Sequence, residues 1–178
     1  MDKGNRFNLA NDESRDGISG TSPLHTIVLY DRPVIFERAH QLLVGLSRTL
    51  DAGRAIQLTA WQFDTLERDW HGSQLRKLLG KAEMVVVAAS ADKALPESVE
   101  LELRLWMELS AGKHRALLAF LEGSSPVAYQ PSLPFDRLQT LANMHGADFF
   151  AHIADPAPYQ AWPCLPQEDE SSNDRTMG

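Results

Sequence analysis

The sequence predicts one α/β domain built on a doubly wound sheet of five parallel strands with helices on both faces. Three observations predict it. Short apolar runs rich in β-branched residues alternate with longer segments whose apolar residues recur every three or four positions. One run, residues 84–89, is apolar at every position, as expected of an inner parallel strand covered on both faces. Gly, Pro and Asp punctuate the junctions and leave only short connections, so the strand–helix–strand units form right-handed crossovers.

The elements follow in order. Residues 25–30 (HTIVLY) read as the first strand, stopped by Asp31-Arg32-Pro33. Pro33 suits the first turn of a helix, where an N–H has no partner in any case. From 34 to 50 the residues Ile35, Ala39, Leu42, Leu43, Leu46 and Leu50 draw a helical stripe. A second strand spans 55–63, with Ile56, Leu58, Ala60 and Phe63 inward, and a helix over 70–79 ends near Gly80. After the third strand, 84–89, Pro96-Glu97 opens a helix to residue 110 that buries Val99, Leu103, Trp106 and Met107. Residues 100–105 (ELELRL) also alternate as a strand would; the segment's length, its opening Pro and its good helix formers decide for helix. The fourth strand is 115–121. A helix over 135–145 turns Leu138, Leu141 and Ala142 inward and ends at Gly146, and 148–153 is the fifth strand. The commonest small sheet of this kind has the order 2-1-3-4-5, the receiver or flavodoxin arrangement, with the first and third strands adjacent in the middle.

Around this domain, residues 25–154, the composition changes. Residues 1–24 are dominated by Asn, Asp, Ser and Gly and read as a flexible arm. Residues 155–178 form a tail in which prolines recur from Pro156 to Pro166 before the acidic stretch Gln167-Glu168-Asp169-Glu170.

Composition narrows the function. A length of 178 residues with 43% apolar residues suits a single core. The net charge of −7 and scattered Lys and Arg, densest at Arg76, Lys77 and Lys81, argue against nucleic acid, whose binding needs clustered cations. No apolar run approaches the roughly 18–20 residues that span a bilayer. No apolar segment follows the N-terminus, and the one cysteine, Cys164, has no partner for an internal disulfide, so a cytoplasmic location is expected.

Several features carry a resemblance. An aromatic and acidic stretch (Trp61, Phe63, Asp64, Leu66) precedes the block Ala82-Glu83-Met84-Val85-Val86-Val87-Ala88-Ala89. Leu95-Pro96, Trp106, the strand Ala116-Leu117-Leu118-Ala119 and the late Gly146-Ala147-Asp148-Phe149-Phe150 follow. Over about 25–153 the chain resembles small bacterial proteins of unknown function with a receiver-like βα pattern. The resemblance implies the receiver- or flavodoxin-like fold and brings neither an activity nor catalytic residues.

Sites in this architecture lie at the carboxyl ends of the strands, where the chain order reverses. Aspartyl phosphorylation there needs an acidic cluster for Mg²⁺, an acceptor Asp, a hydroxyl and a Lys. Asp31 follows the first strand, but the third ends in Ala89-Ser90 with Asp92 two residues late, and Ala154-Asp155-Pro156 after the fifth strand contains no Lys. Phosphorylation on Asp is therefore not expected. The loop Tyr30-Asp31-Arg32-Pro33-Val34 has neither the Gly nor the hydroxyls of a flavin-phosphate loop, and no P-loop or G-x-G-x-x-G occurs, so no cofactor is expected. Gly123-Ser124-Ser125-Pro126 is no nucleophile elbow, and the six histidines lack metal-ligand spacing.

Two features remain. Asp31, Arg32, Ser90, Asp92 and Lys93 gather at the switch point, with Asp64, Glu122, Ser124 and Ser125 further along the rim. They read as a pocket for a small charged ligand with Arg32 and Lys93 as anion contacts, or as ordinary solvated loop charges. Trp61, Trp70 and Trp162 read as exposed anchors for a partner, or, for the tail, as side chains that pack Tyr159 and Trp162 back onto the domain. The expectation is a non-catalytic signalling or protein-interaction module, acting through a protein partner or as a homodimer. The alternative is a small-molecule site, or an enzyme of unknown reaction, at the carboxyl ends of the first and third strands.

Overall fold

A computed structural model of the chain describes residues 6–8, 22–49, 55–68, 73–109, 114–123 and 133–156. In chain order its elements are β1 (Arg6–Asn8), β2 (Leu24–Tyr30), α1 (Pro33–Thr49), β3 (Ile56–Gln62), α2 (Phe63–Arg68), α3 (Ser73–Leu79), β4 (Met84–Ser90), α4 (Glu97–Glu108), β5 (Ala116–Glu122), α5 (Leu133–His145) and β6 (Asp148–Ala154). The strands form one sheet in the order β1-β3-β2-β4-β5-β6. The five parallel strands β2 to β6 have the expected 2-1-3-4-5 arrangement, with β2 beside β4.

The sheet owes its shape to strands buried on both faces. In β4, Val85, Val87 and Ala89 point to one side, where they join Ile27, Leu29, Trp61, Leu117, Ala119 and Leu121 under α2, α3, α4 and α5. Val86 and Ala88 point to the other and meet Val28, Leu58, Ala60, Leu118 and Phe120 under α1. The strand alternation places every second residue on each side, so a strand apolar throughout needs both layers.

Local signals fix the helix ends. Pro33 opens α1 as expected, and the amides of Ile35 and Phe36 donate to the carbonyl of Arg32. Gly146 closes α5 at φ 69°, a left-handed conformation, while the Ala147 amide reaches back to the Ala142 carbonyl in a Schellman closure. Trp106 is fully buried in α4, and its indole N–H donates to the Ala82 carbonyl at 3.1 Å. The Arg115 guanidinium lies 5.2 Å from the Trp106 ring centre and donates to the Trp106 carbonyl, while burial lowers its pKa. This locks the start of β5 to the end of α4.

The structure corrects the sequence reading in three places. Within residues 1–24, Arg6–Asn8 forms a short strand antiparallel to β3. An edge strand is specified by backbone pairing, so apolar periodicity was a poor guide to it. The second strand ends at Gln62, not at residue 63. Phe63 opens the short helix α2, where Phe63 and Leu66, three residues apart, both turn into the core. Helix α3 begins at Ser73, not at residue 70. No described helix is long and apolar enough to cross a membrane.

Glu102 of α4 faces the α3 residue Arg76 across 3.7 Å with its side chain only 13% exposed. Burial raises its carboxyl pKa above the ordinary 4.5 despite the nearby cation. A raised pKa means that the folded chain holds this proton more tightly than the unfolded one. The favourable contribution is complete below the ordinary value and is lost as the pH rises through the folded value. Glu102→Gln removes the penalty of a buried charge, so Tm should rise at about pH 7.5 and the gain should shrink toward about pH 4. Calorimetry at the two pH values checks this; a lower Tm for the variant at the higher pH would show that the Arg76 contact outweighs burial.

Candidate functional site

The carboxyl ends of β2, β4 and β5 meet around one acid. Glu122 is the last residue of β5, and its register beside Ser90 of β4 carries it into the crevice at 5% exposure. A carboxylate so far from water needs cations or donors, since an unpaired buried charge costs several kcal/mol. Arg32, at the end of β2, donates from Nη2 to Glu122 Oε2 at 3.0 Å, and Arg38 of α1 donates to Oε1. Each oxygen of the acid is thus held by a different guanidinium. Arg38 also donates to the Asp155 carbonyl at 2.7 Å, which ties the chain leaving β6 to helix α1.

The backbone around this cluster is tightly drawn. The Ala91 amide donates to the Glu122 carbonyl and the Gly123 amide to the Ala154 carbonyl, so the exits of three strands are laced together. A Cβ on Gly123 would lie 2.6 Å from the Cβ of Ala91. That is closer than two carbons can approach, and it explains a glycine where the β4–α4 and β5–α5 connections touch.

The structure separates the five residues singled out as a ligand pocket into two groups. Asp31 and Arg32 stay together: the Asp31 amide donates to the Ala88 carbonyl, and its carboxylate lies 3.8 Å from Arg32 Nε. Ser90 is buried at the end of β4, where its Oγ accepts the Asp92 amide at 3.4 Å. Asp92 and Lys93 are exposed on the following loop, and among the described residues neither forms an ion pair. Arg32 therefore does not present a free cation. Its charge is met by Glu122 and Asp31, so an anion at this place would compete with both carboxylates.

Of the aromatic anchors, Trp61 also needs correction. Trp61 is 7% exposed and packs inside the core with Leu66 and Leu75, so it presents no ring to a partner. Its place in an inner strand buries it: alternate residues of β3 face opposite layers, and both layers are covered. Trp70 and Trp162 lie outside the described residues. Asp64 sits in the first turn of α2, just after the end of β3.

Arg38 was missed by sequence reasoning. A signal existed: it follows the buried Ile35 by three positions, and so lies on the flank of α1's apolar stripe, facing the sheet. A cation there calls for a buried acid at a strand end. Away from the strand ends, a groove of about 440 Å³ runs between α4 and α5, lined by Leu103, Leu138, Leu141 and Met144, with Arg137 bridging to Glu100 at 2.9 Å on its rim. Among the described residues no group of three or more His, Cys, Asp or Glu is placed to hold a metal ion.

No protein-family model matches the chain, and no curated protein matches its sequence. Among solved structures it is similar to the Streptococcus pneumoniae TIGR4 flavodoxin, at 13% identity and a TM-score of 0.44, over 78% of this chain and 88% of that one.

The cluster makes an ordered prediction about stability. Arg38→Ala leaves a nearly buried carboxylate with one fewer cation and should cost about 2–3 kcal/mol. Arg32→Ala should cost less, because the Arg32 side chain is 49% exposed and its pairing is partly screened by water. Adding Glu122→Gln to Arg38→Ala should recover about 1 kcal/mol or more, the non-additivity expected of residues in direct contact. Urea denaturation of the wild type, the two single arginine variants, Glu122→Gln alone and the double variant measures this; strictly additive losses would mean that Glu122 and Arg38 do not interact.

Proposed function

We propose that the chain is a non-catalytic interaction module, a degenerate receiver-like domain that works in signalling through protein contacts and is not phosphorylated on Asp. The observation that supports this reading is the Arg32–Glu122–Arg38 cluster. At the strand ends where a receiver gathers acids around Mg²⁺, this chain has Asp31, whose carboxylate lies 3.8 Å from Arg32, and Glu122, engaged on both oxygens by guanidiniums of the same chain. A carboxylate held in this way is poorly placed to bind a cation or to attack phosphorus. The serine at the end of β4 stands where an acceptor Asp would be needed. The reading places the protein in the cytoplasm with a protein partner or a second copy, and assigns no role to nucleic acid or membrane.

Incubating the full chain with Mg²⁺ and an acyl phosphate should leave its intact mass unchanged, whereas a phosphoryl adduct on Asp31 or Asp92 would overturn the reading. Native mass spectrometry of the gently purified protein distinguishes the competing function. A retained small molecule that is lost on changing the exposed Lys93→Ala would shift the role from protein contact to ligand binding at the strand ends.

A further inference from the structure

The two edges of the sheet differ. One is closed by the three-residue β1, and very short edge strands are a common way to discourage further pairing. The other is β6, seven residues long, whose outer edge pairs with no strand among the described residues. Its sequence, DFFAHIA, contains no Lys, Arg or Pro, the residues that usually protect an edge. Phe150 is 56% and Ile153 65% exposed, although both are large and apolar.

The backbone bonds show which groups are left outward. The Asp148 amide donates to the Arg115 carbonyl and the Ala154 carbonyl accepts from Gly123, so the even-numbered residues of β6 bond toward β5. In a parallel ladder the N–H and C=O of one residue point to the same side, so Phe149, Ala151 and Ile153 direct theirs away from the sheet.

We propose that β6 is a self-association edge, and that a second copy of this chain pairs with it antiparallel about a two-fold axis through Ala151. The register follows from the residues. With Ala151 opposite its own copy, Phe149 opposes Ile153 of the partner copy, and Phe150 opposes His152. All three outward-pointing residues then sit in hydrogen-bonded pairs, with two bonds for each pair. Phe150 and His152 share the face of α1, since His152 stacks 5.3 Å from Phe120 of that layer. Phe149 and Ile153 share the opposite face, where Phe149 packs against Phe135 of α5. Apolar or aromatic side chains therefore meet across the axis on both faces. The one charged residue of the strand, Asp148, opposes Ala154 and lies a diagonal step from His152 of the partner copy on the same face, so no like charges are opposed within the strand pair.

The area sets the strength. A strand of this length is about 23 Å long, and a sheet with its side chains occupies about 10 Å, which gives about 230 Å² per copy. The total of about 460 Å² is well below the ~1,000 Å² typical of stable complexes, so the dimer is weak and depends on concentration. This inference rests on the interaction-module reading and names its partner.

Sedimentation of the full chain from about 1 to about 500 µM should show a monomer converting to a dimer as concentration rises. Phe150→Lys and Ile153→Lys, both at exposed positions, should each abolish the dimer while circular dichroism and Tm confirm the fold. Register is tested separately, in a Cys164→Ser background. Ala151→Cys should form an intermolecular disulfide on mild oxidation, because paired Cα atoms about 5.5 Å apart lie within disulfide range. Asp148→Cys should not, since the two copies of that residue would be about 20 Å apart. A chain that stays monomeric throughout overturns the proposal, and slow amide exchange along β6 in that monomer would assign the edge to the chain's own residues beyond 156. A dimer insensitive to Ile153→Lys overturns it too. A phosphoryl adduct or a bound metabolite would refute the interaction-module reading and leave the dimer measurement intact, so the two failures are distinguishable.

Discussion

The fold depends on a strand that has no polar side to show to water. In β4 the residues from Val85 to Ser90 are all buried, and the strand is paired along both edges, to β2 and to β5. A strand of this kind cannot be satisfied by a two-layer structure. It requires helices above and below, parallel neighbours on each side, and crossovers long enough to carry the chain back to the start of the next strand. The positions of β2, β5, α1 and α4 are consequences of that requirement.

The same arrangement creates the site and explains its chemistry. Parallel strands end together, so the side chains that follow β2, β4 and β5 converge on one rim. The rim faces a low-dielectric interior, and an acid placed there must be neutralised. Glu122 is neutralised by Arg32 and Arg38, two cations from the β2–α1 unit, which binds the end of β5 to the helix covering that face of the sheet. A position that supports catalysis in related architectures is used here as a structural clamp. Arg38 extends that clamp to Asp155, so the same side chain also holds the exit of β6.

The two sides of the sheet are not equally covered. Among the described residues, α2, α3, α4 and α5 share one face and α1 alone packs on the other. At the β6 end this imbalance leaves Phe150 exposed on the α1 side, and the bare edge leaves Ile153 exposed on the other. Apolar surface and unpaired backbone groups thus coincide at one end of the sheet, whereas the Arg–Glu cluster is closed upon itself.

Apolar periodicity by itself determined the elements that bury a continuous stripe or a continuous run: β2, β4 and β5, the length of α1, the inward residues of α4 and α5, and the stop at Gly146. These are local properties, because burial on a helix face or a strand repeats at a fixed interval along the chain. The order of the parallel strands followed, since short right-handed crossovers leave few alternatives. What only the tertiary structure decided depends on partners distant in sequence. Arg6–Asn8 becomes a strand because β3 offers it an edge, and Trp61 becomes core because α2 and α3 cover it. Arg32 is spent on an acid 90 residues away. No periodicity encodes a pairing over that distance, so residue types and loop positions could place Arg32 at a strand end but could not tell a free cation from one already neutralised.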